Sequence, residues 1–274
     1  MAGRAVRAGD EDADSSSRIA AIRGALGFLT RLPVSHRDGD WDAFRARPVA
    51  FPIVGYVAGA LVAVPFVGAG LLSTFAEGSI PAATVALGYL LTVYAVTGVH
   101  HLDGVADLGD ALVVHGDAAR RREVLKDTTT GVGAISSVSI VVAGLALGGF
   151  SLAGLPALEA AGVAVAAEVG AKLGMAALAC FGSAAYDGMG RRITSAASPR
   201  GFVLPALVAL PATALTWPNP AAAVALAGAI GGICLPWTWA NRRLGGLSGD
   251  IFGAANEIGR AAGVHAGVIA WTLW

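Results

Sequence analysis

Gly131–Ala153, GVGAISSVSIVVAGLALGGFSLA, runs for 23 residues without one Asp, Glu, Lys, Arg or His. A helix needs about 20 predominantly apolar residues to cross the hydrocarbon of a bilayer. This stretch is therefore read as a transmembrane helix, and the rest of the chain is read outward from it. Comparable apolar stretches run over 48–74, 79–100, 157–181, 201–217 and 219–240. A weaker one, 252–274, is interrupted by Asn256, Glu257 and Arg260. The expected fold is all-α: a polytopic membrane bundle of six to seven transmembrane helices embedded in the lipid bilayer. Composition agrees, because hydrophobic residues make up 55% of the 274, charged residues only 14%, and mean hydropathy is +0.66. A soluble domain carries about 25% charged residues, so a water-soluble globule is excluded, and disorder as the main state falls with it.

The organisation around those spans is simple. Residues 1–20 are polar, carry no signal-peptide apolar run, and are expected to be disordered. Residues 21–274 read as one integral-membrane domain. Within it, 21–47, with GALGFLTRLPV and Trp41, reads as an amphipathic segment lying at the interface. Cys180 and Cys234 sit in apolar stretches and read as small buried hydrophobes rather than a disulfide or zinc pair. Most of the six tryptophans fall near span ends, as an interfacial belt would.

Net charge is zero, from 19 Lys+Arg against 19 Asp+Glu, which gives no basic field for nucleic acid. Placement is more telling. Alternating sides with each crossing puts the N-terminus and the loops 101–130, 182–200 and 241–251 on one side. That side holds 17 of the 19 cations, and Lys172 and Arg260 lie within spans. The positive-inside rule makes the cation-rich side cytoplasmic.

Three polar islands fall on that side. The first, Thr97–Gly116, reads TGVHHLDGVADLGDALVVHG. Asp103, Asp107 and Asp110 are spaced i, i+4 and i+7, so they share one helical face and repel one another unless a cation lies among them. Oxygen-only ligands beside small residues suit Mg²⁺ or Mn²⁺; a solvated acidic helix start is the plainer alternative. His100 and His101 point apart, so a zinc site does not suggest itself. The second island has Arg120, Arg121 and Arg122, then Lys126, Asp127, Gly131 and Gly133. A Gly-rich helix start near cations can cradle phosphate, although Arg120–Arg122 alone are explained by the positive-inside rule. No Walker motif occurs. The third island, LGGLSGDIFGAANE (Leu244–Glu257), sets Asp250 among glycines and carries Asn256 and Glu257 into a span, where ionisable groups are functional by default. Glu168 and Lys172 fit a structural pair as well as a site, and YDGMGRR (Tyr186–Arg192) offers further cations to a phosphate. Together the islands suggest phosphoryl or nucleotidyl-type transfer on a lipid-like or membrane-tethered substrate.

Five segments then carry a resemblance: FLTRLPV (Phe28–Val34), FPIVGYVAGA (Phe51–Ala60), HLDGVADLGD (His101–Asp110), LKDTTTGVGA (Leu125–Ala134) and LGGLSGDIFGAANEIG (Leu244–Gly259). In that order, and over nearly the whole chain, they resemble the cobalamin synthase family, the adenosylcobinamide-GDP ribazoletransferases. The resemblance implies an integral cell-membrane, Mg²⁺-dependent phosphotransferase with cytoplasmic active-site loops. It would join adenosylcobinamide-GDP to α-ribazole or its 5′-phosphate and release GMP, late in cobalamin synthesis. On this reading Asp103, Asp107 and Asp110 would be metal ligands. Asp127, Asp250 and Glu257 would complete the catalytic set with Asp103 and Asp107, as further ligands or as base for the attacking ribose hydroxyl. Arg31, His101, Lys126, Gly131, Arg192, Gly246 and Asn256 are the implied substrate contacts. The chain departs from the family pattern in three places. LKDTTTG stands where an Arg-Asp-Ser-Arg-like stretch is common, Lys172 where Arg is usual, and Arg260 where an acid often ends the motif.

Two other readings use the same residues. A CDP-alcohol phosphotransferase of phospholipid synthesis would need a longer aspartate array than Asp110 and Asp117 supply. A cation-coupled transporter would place its acids mid-membrane between related halves, and no internal repeat is visible. The sequence leaves the oligomeric state open.

Overall fold

The computed structural model describes residues 2–76, 78–127 and 129–274, with side chains from Ser16 onward. The first helix, α1 (Ala2–Leu29), includes most of the polar terminus, so no element boundary falls at residue 20. Its last turns are amphipathic: Ala21, Ala25 and Leu29 recur every fourth residue and are buried in one cluster with Phe44 and Phe51. Phe44 lies in α2 (Asp40–Arg45) and Phe51 in α3 (Ala50–Val62). The Arg23 guanidinium hydrogen-bonds the buried Asp40 carboxylate, and the Arg37 backbone N–H donates to it at 2.9 Å. That partner holds Asp40 below the ordinary carboxylate range. The 21–47 segment is thus folded on itself by one ion pair and packed onto the bundle by one apolar face.

Among the described residues, four segments are long and apolar enough to cross a membrane. They are α3 with α4 (Val64–Phe75), taken together as 50–75, then α8 (Val132–Leu152), α9 (Ala157–Phe181) and α12 (Ala221–Arg243). A fifth is added if α5 (Ala82–Thr97) and α6 (His100–Val113) count as one broken span, but the two are bent by 96°. The all-α bundle is as the sequence predicts; the count of six to seven spans is not confirmed. The 201–217 stretch, expected to span, breaks into a 3₁₀ turn (Pro199–Phe202), α11 (Val203–Ala209) and a second 3₁₀ turn (Leu210–Ala214). Pro199, Pro205 and Pro211 recur through it, and each lacks the N–H that a continuous helix would use. The last helix, α13 (Gly249–Leu273), has the length but carries Asp250, Glu257 and Arg260, which keep it out of the apolar set. Short helices α7 (Ala118–Val124) and α10 (Met189–Thr194) lie in the connections. Among the described residues no strand forms; one isolated parallel bridge joins Ala184 to Leu247.

The axis of the bundle is α9, 89% of whose apolar window is buried. Its neighbours are α3, α12 and α13. Small residues make those approaches possible: Gly170 of α9 faces Leu226 and Ala229 of α12, and Gly55 and Gly59 of α3 sit against Val169 and Val165. Such close backbone contact substitutes for a hydrophobic driving force that lipid does not supply.

Candidate active site

The bend after α5 creates the site. Gly98 adopts φ +70°, a region that disfavours side chains, and the chain turns there from a crossing direction into α6. Along α6, Gly104 lies against the Asp250 carbonyl of α13, and Gly109 lies against the Gly133 carbonyl of α8. Two tight crossings therefore fix the helix that carries the three aspartates.

Those aspartates do not share one task. Asp110 accepts the backbone N–H groups of Gly131 at 2.8 Å and Ala134 at 2.9 Å. It caps α8 from outside the helix, and the Gly131 amide expected to meet a phosphate is already taken. Asp103 and Asp107 line the adjoining 310 Å³ pocket, where Lys126, Asp127, Thr129 and Thr130 form other walls. Burial, then the nearby carboxylates of Asp250, Asp103 and Asp110, push Asp107 up to about 7. Burial also raises Asp250, with Asp103 adding to it. Among the described residues no three His, Cys, Asp or Glu groups meet closely enough to hold a metal ion by themselves. The oxygen-only donors nonetheless fit Mg²⁺, which is usually held by one or two carboxylates plus substrate phosphates rather than by an all-protein cage.

The other islands arrive from two directions. The 244–250 loop is pinned to the 183–185 segment, where Leu247 N–H donates to the Ser183 carbonyl at 2.8 Å and Ala185 N–H to the Leu247 carbonyl at 2.9 Å. Gly246, φ +149°, passes so near Ser183 and Ala184 that a Cβ would collide with their backbone. Its role here is a backbone crossing. Ser248 then caps α13 and donates its hydroxyl to Asp250 at 3.1 Å. Burial raises Tyr186, with the Asp250 and Asp107 carboxylates adding to it and Ser248 and Arg122 opposing it, and the Lys126 ammonium lies 4.9 Å from its ring centroid. Tyr186 and Ser248 thereby join all three islands. The sequence reading missed both; YDGMGRR was read for its cations alone.

A second, more apolar cavity of 460 Å³ opens beside Asp250, lined by Thr30, His101, Met175, Ile193, Phe252 and neighbours. Arg192 and Arg191 border a further cleft of 470 Å³ with Arg45 and Ser195. Arg31 is exposed; its stem covers Gly98 at the α5–α6 bend, and its N–H binds the Val96 carbonyl at 2.7 Å. Asp127 is exposed and accepts the Thr129 N–H at 3.0 Å.

Glu257 is not brought to these cavities. It is fully buried, and both its oxygens bind Arg260 at 2.6 and 2.7 Å. Arg260 also binds Glu168, which faces Lys172 at 3.4 Å. Two acids and two bases thus close a neutral quartet between α9 and α13. The two unusual residues of the sequence, Lys172 and Arg260, are its cations. Asn256 links the quartet to His101 through Lys172 and the imidazole Nδ1.

Comparison with known proteins matches residues 21–268 to the model of the family described as Cobalamin-5-phosphate synthase. A protein named adenosylcobinamide-GDP ribazoletransferase from Halorubrum lacusprofundi is 47% identical over 93% of this chain and 98% of its own. Proteins of the same name from Halobacterium salinarum and Deinococcus radiodurans are 57% and 37% identical, over 72% and 85% of this chain and 98% and 80% of theirs. No solved structure shows significant similarity.

Proposed function

The chain belongs to the Cobalamin-5-phosphate synthase family, and from that premise we propose how its residues divide the work. The protein is an integral-membrane transferase of cobalamin biosynthesis. It transfers the adenosylcobinamide phosphate group from adenosylcobinamide-GDP to α-ribazole or its 5′-phosphate and releases GMP. A ribose hydroxyl of the acceptor forms a bond to the phosphorus nearer the cobinamide. The bond from that phosphorus to the GMP oxygen breaks, and the hydroxyl proton passes to a carboxylate.

Asp103 and Asp107 are our choice to hold Mg²⁺ together with the substrate phosphates. When bound, the ion neutralises charge on the transferred phosphoryl group. Asp250 is our choice for proton acceptor, supported by its position between the acidic pocket and the 460 Å³ cavity. Lys126, leaning on Tyr186, offers a cation to the pyrophosphate, and Arg192 offers one at the neighbouring cleft. Asp110 serves the site by holding the α8 start against α6. The observation that carries the functional reading is the family match over residues 21–268.

The test uses purified protein in liposomes with adenosylcobinamide-GDP, α-ribazole and Mg²⁺. Cobalamin and GMP are expected in equal amounts. Asp103→Asn or Asp107→Asn should lower kcat at least ~100-fold, the scale for removing a group that stabilises transition-state charge. Full turnover in both variants would remove the metal assignment. We further propose that these loops face the cytoplasm, supported by the 17 cations on their side. A cysteine at Asp117, in a chain whose own two cysteines are replaced by serine, should react with an impermeant maleimide only after cells are opened.

A further inference from the structure

We infer that His101 is fixed by a buried relay as the tautomer with its proton on Nε2, and that this N–H donates to a phosphate oxygen of the nucleotide substrate in the 460 Å³ cavity. The inference rests on the transferase reading for its ligand, but not for its tautomer.

The relay begins at a group with only one possible role. The Lys172 ammonium has donors and no acceptor, and it lies 2.6 Å from Asn256 Oδ1. The amide oxygen must therefore face Lys172. The opposite end of the same amide agrees, because Asn256 Nδ2 lies 3.2 Å from the Glu257 carboxylate, which can only accept. Amide orientation is ordinarily assigned rather than observed; here a cation and an anion on its two ends leave one choice. The same Nδ2 lies 3.1 Å from His101 Nδ1. A nitrogen facing an N–H donor must accept, so Nδ1 carries no proton and Nε2 carries it.

Burial holds the arrangement in place. Lys172, Asn256 and Glu257 are all 0% exposed, so the amide is sealed from bulk solvent. The charged groups around the ring are Lys172, Arg260, Glu168, Glu257 and His100. His101 alone of the relay lines the cavity, beside Asp250 and Thr30. Its bound nitrogen faces inward, and Nε2–H is the donor that remains for a ligand. Asn256 and Lys172 are positioning residues: they touch the ring or one another and not the substrate.

The tautomer is read directly, without substrate. Full-length protein labelled with ¹⁵N in the histidine ring, in nanodiscs, should show Nε2 protonated and Nδ1 bare for the signal that vanishes in His101→Gln. An Nδ1-protonated ring in the wild type overturns the relay. The donor role is tested by pairing variants. His101→Gln can still donate from the Nε2 position and should keep KM for adenosylcobinamide-GDP within about 3-fold. His101→Glu accepts there instead and should raise KM about 10- to 100-fold, the range for a hydrogen bond to a charged group. Asn256→Asp presents an acceptor to Nδ1 and should move the ring proton to that nitrogen, with a KM rise like that of His101→Glu. An unchanged KM with the proton moved, or equal losses in Gln and Glu, overturns the donor role. A wild type showing the Nε2–H tautomer but no turnover defeats the transferase reading and leaves the relay standing.

Discussion

Asp110 shows how a residue read correctly as special can have a different task from the one expected. Its i+7 spacing from Asp103 puts it on the acidic face, and the sequence offers no way to see that Gly131 and Ala134 come to meet it. A carboxylate accepting two N–H groups at a helix start is worth about 1–2 kcal/mol. Asp110→Ala is therefore expected to lower stability by that amount in a thermal scan of the detergent-solubilised protein, with α8 losing one of its ties to α6. A loss of Mg²⁺ response with unchanged thermal stability would return Asp110 to the metal set. Asp103 and Asp250 were legible because their partners are chemical types; Tyr186 and Ser248 were not, because a hydroxyl in a loop carries no signature until the chain closes on it.

At the scale of elements, what was readable followed from composition and what was not followed from direction. Apolar length revealed α8, α9, α12 and the 50–75 span to within about three residues at each end. It could not reveal that α6 leaves α5 at 96°, since Gly98 looks like any other membrane glycine until its φ is known. Nor could it weigh three prolines in 199–211 against an apolar average. The α6 crossings carry a consequence for activity. A Cβ at Gly104 would fall on the Asp250 backbone carbonyl, an atom that cannot swing aside. Gly104→Ala should cost about 1–3 kcal/mol, the usual range for overpacking. It should also push Asp250 away from Asp103 and Asp107, so turnover falls while helical circular dichroism is kept. Normal turnover would show that the α6–α13 spacing is not needed for the chemistry.

At the scale of the molecule, Lys and Arg are sorted into a polar face and a buried quartet with two acids. The net zero of the sequence hides both. Removing one member leaves an uncompensated charge inside the bundle, which typically costs about 3–5 kcal/mol. Glu168→Gln, which leaves Lys172 and Arg260 facing Glu257 alone, should show a loss of that order in denaturant or thermal unfolding. The double variant Glu168→Gln/Lys172→Met restores neutrality and should recover part of the loss. A double variant no more stable than the single one would mean that balance of charge is not what holds α9 to α13.

The quartet also bears on how such a chain enters a membrane at all. Glu168 and Lys172 are four residues apart on α9, and Glu257 and Arg260 three apart on α13, so each helix carries its own acid and base within reach. Neither helix has to wait for the other to hide a bare ion during biogenesis. Each can be delivered to the bilayer as an electrically self-contained rod, and the exchange that gives Arg260 a second carboxylate, Glu168, becomes a late assembly event between segments already inserted.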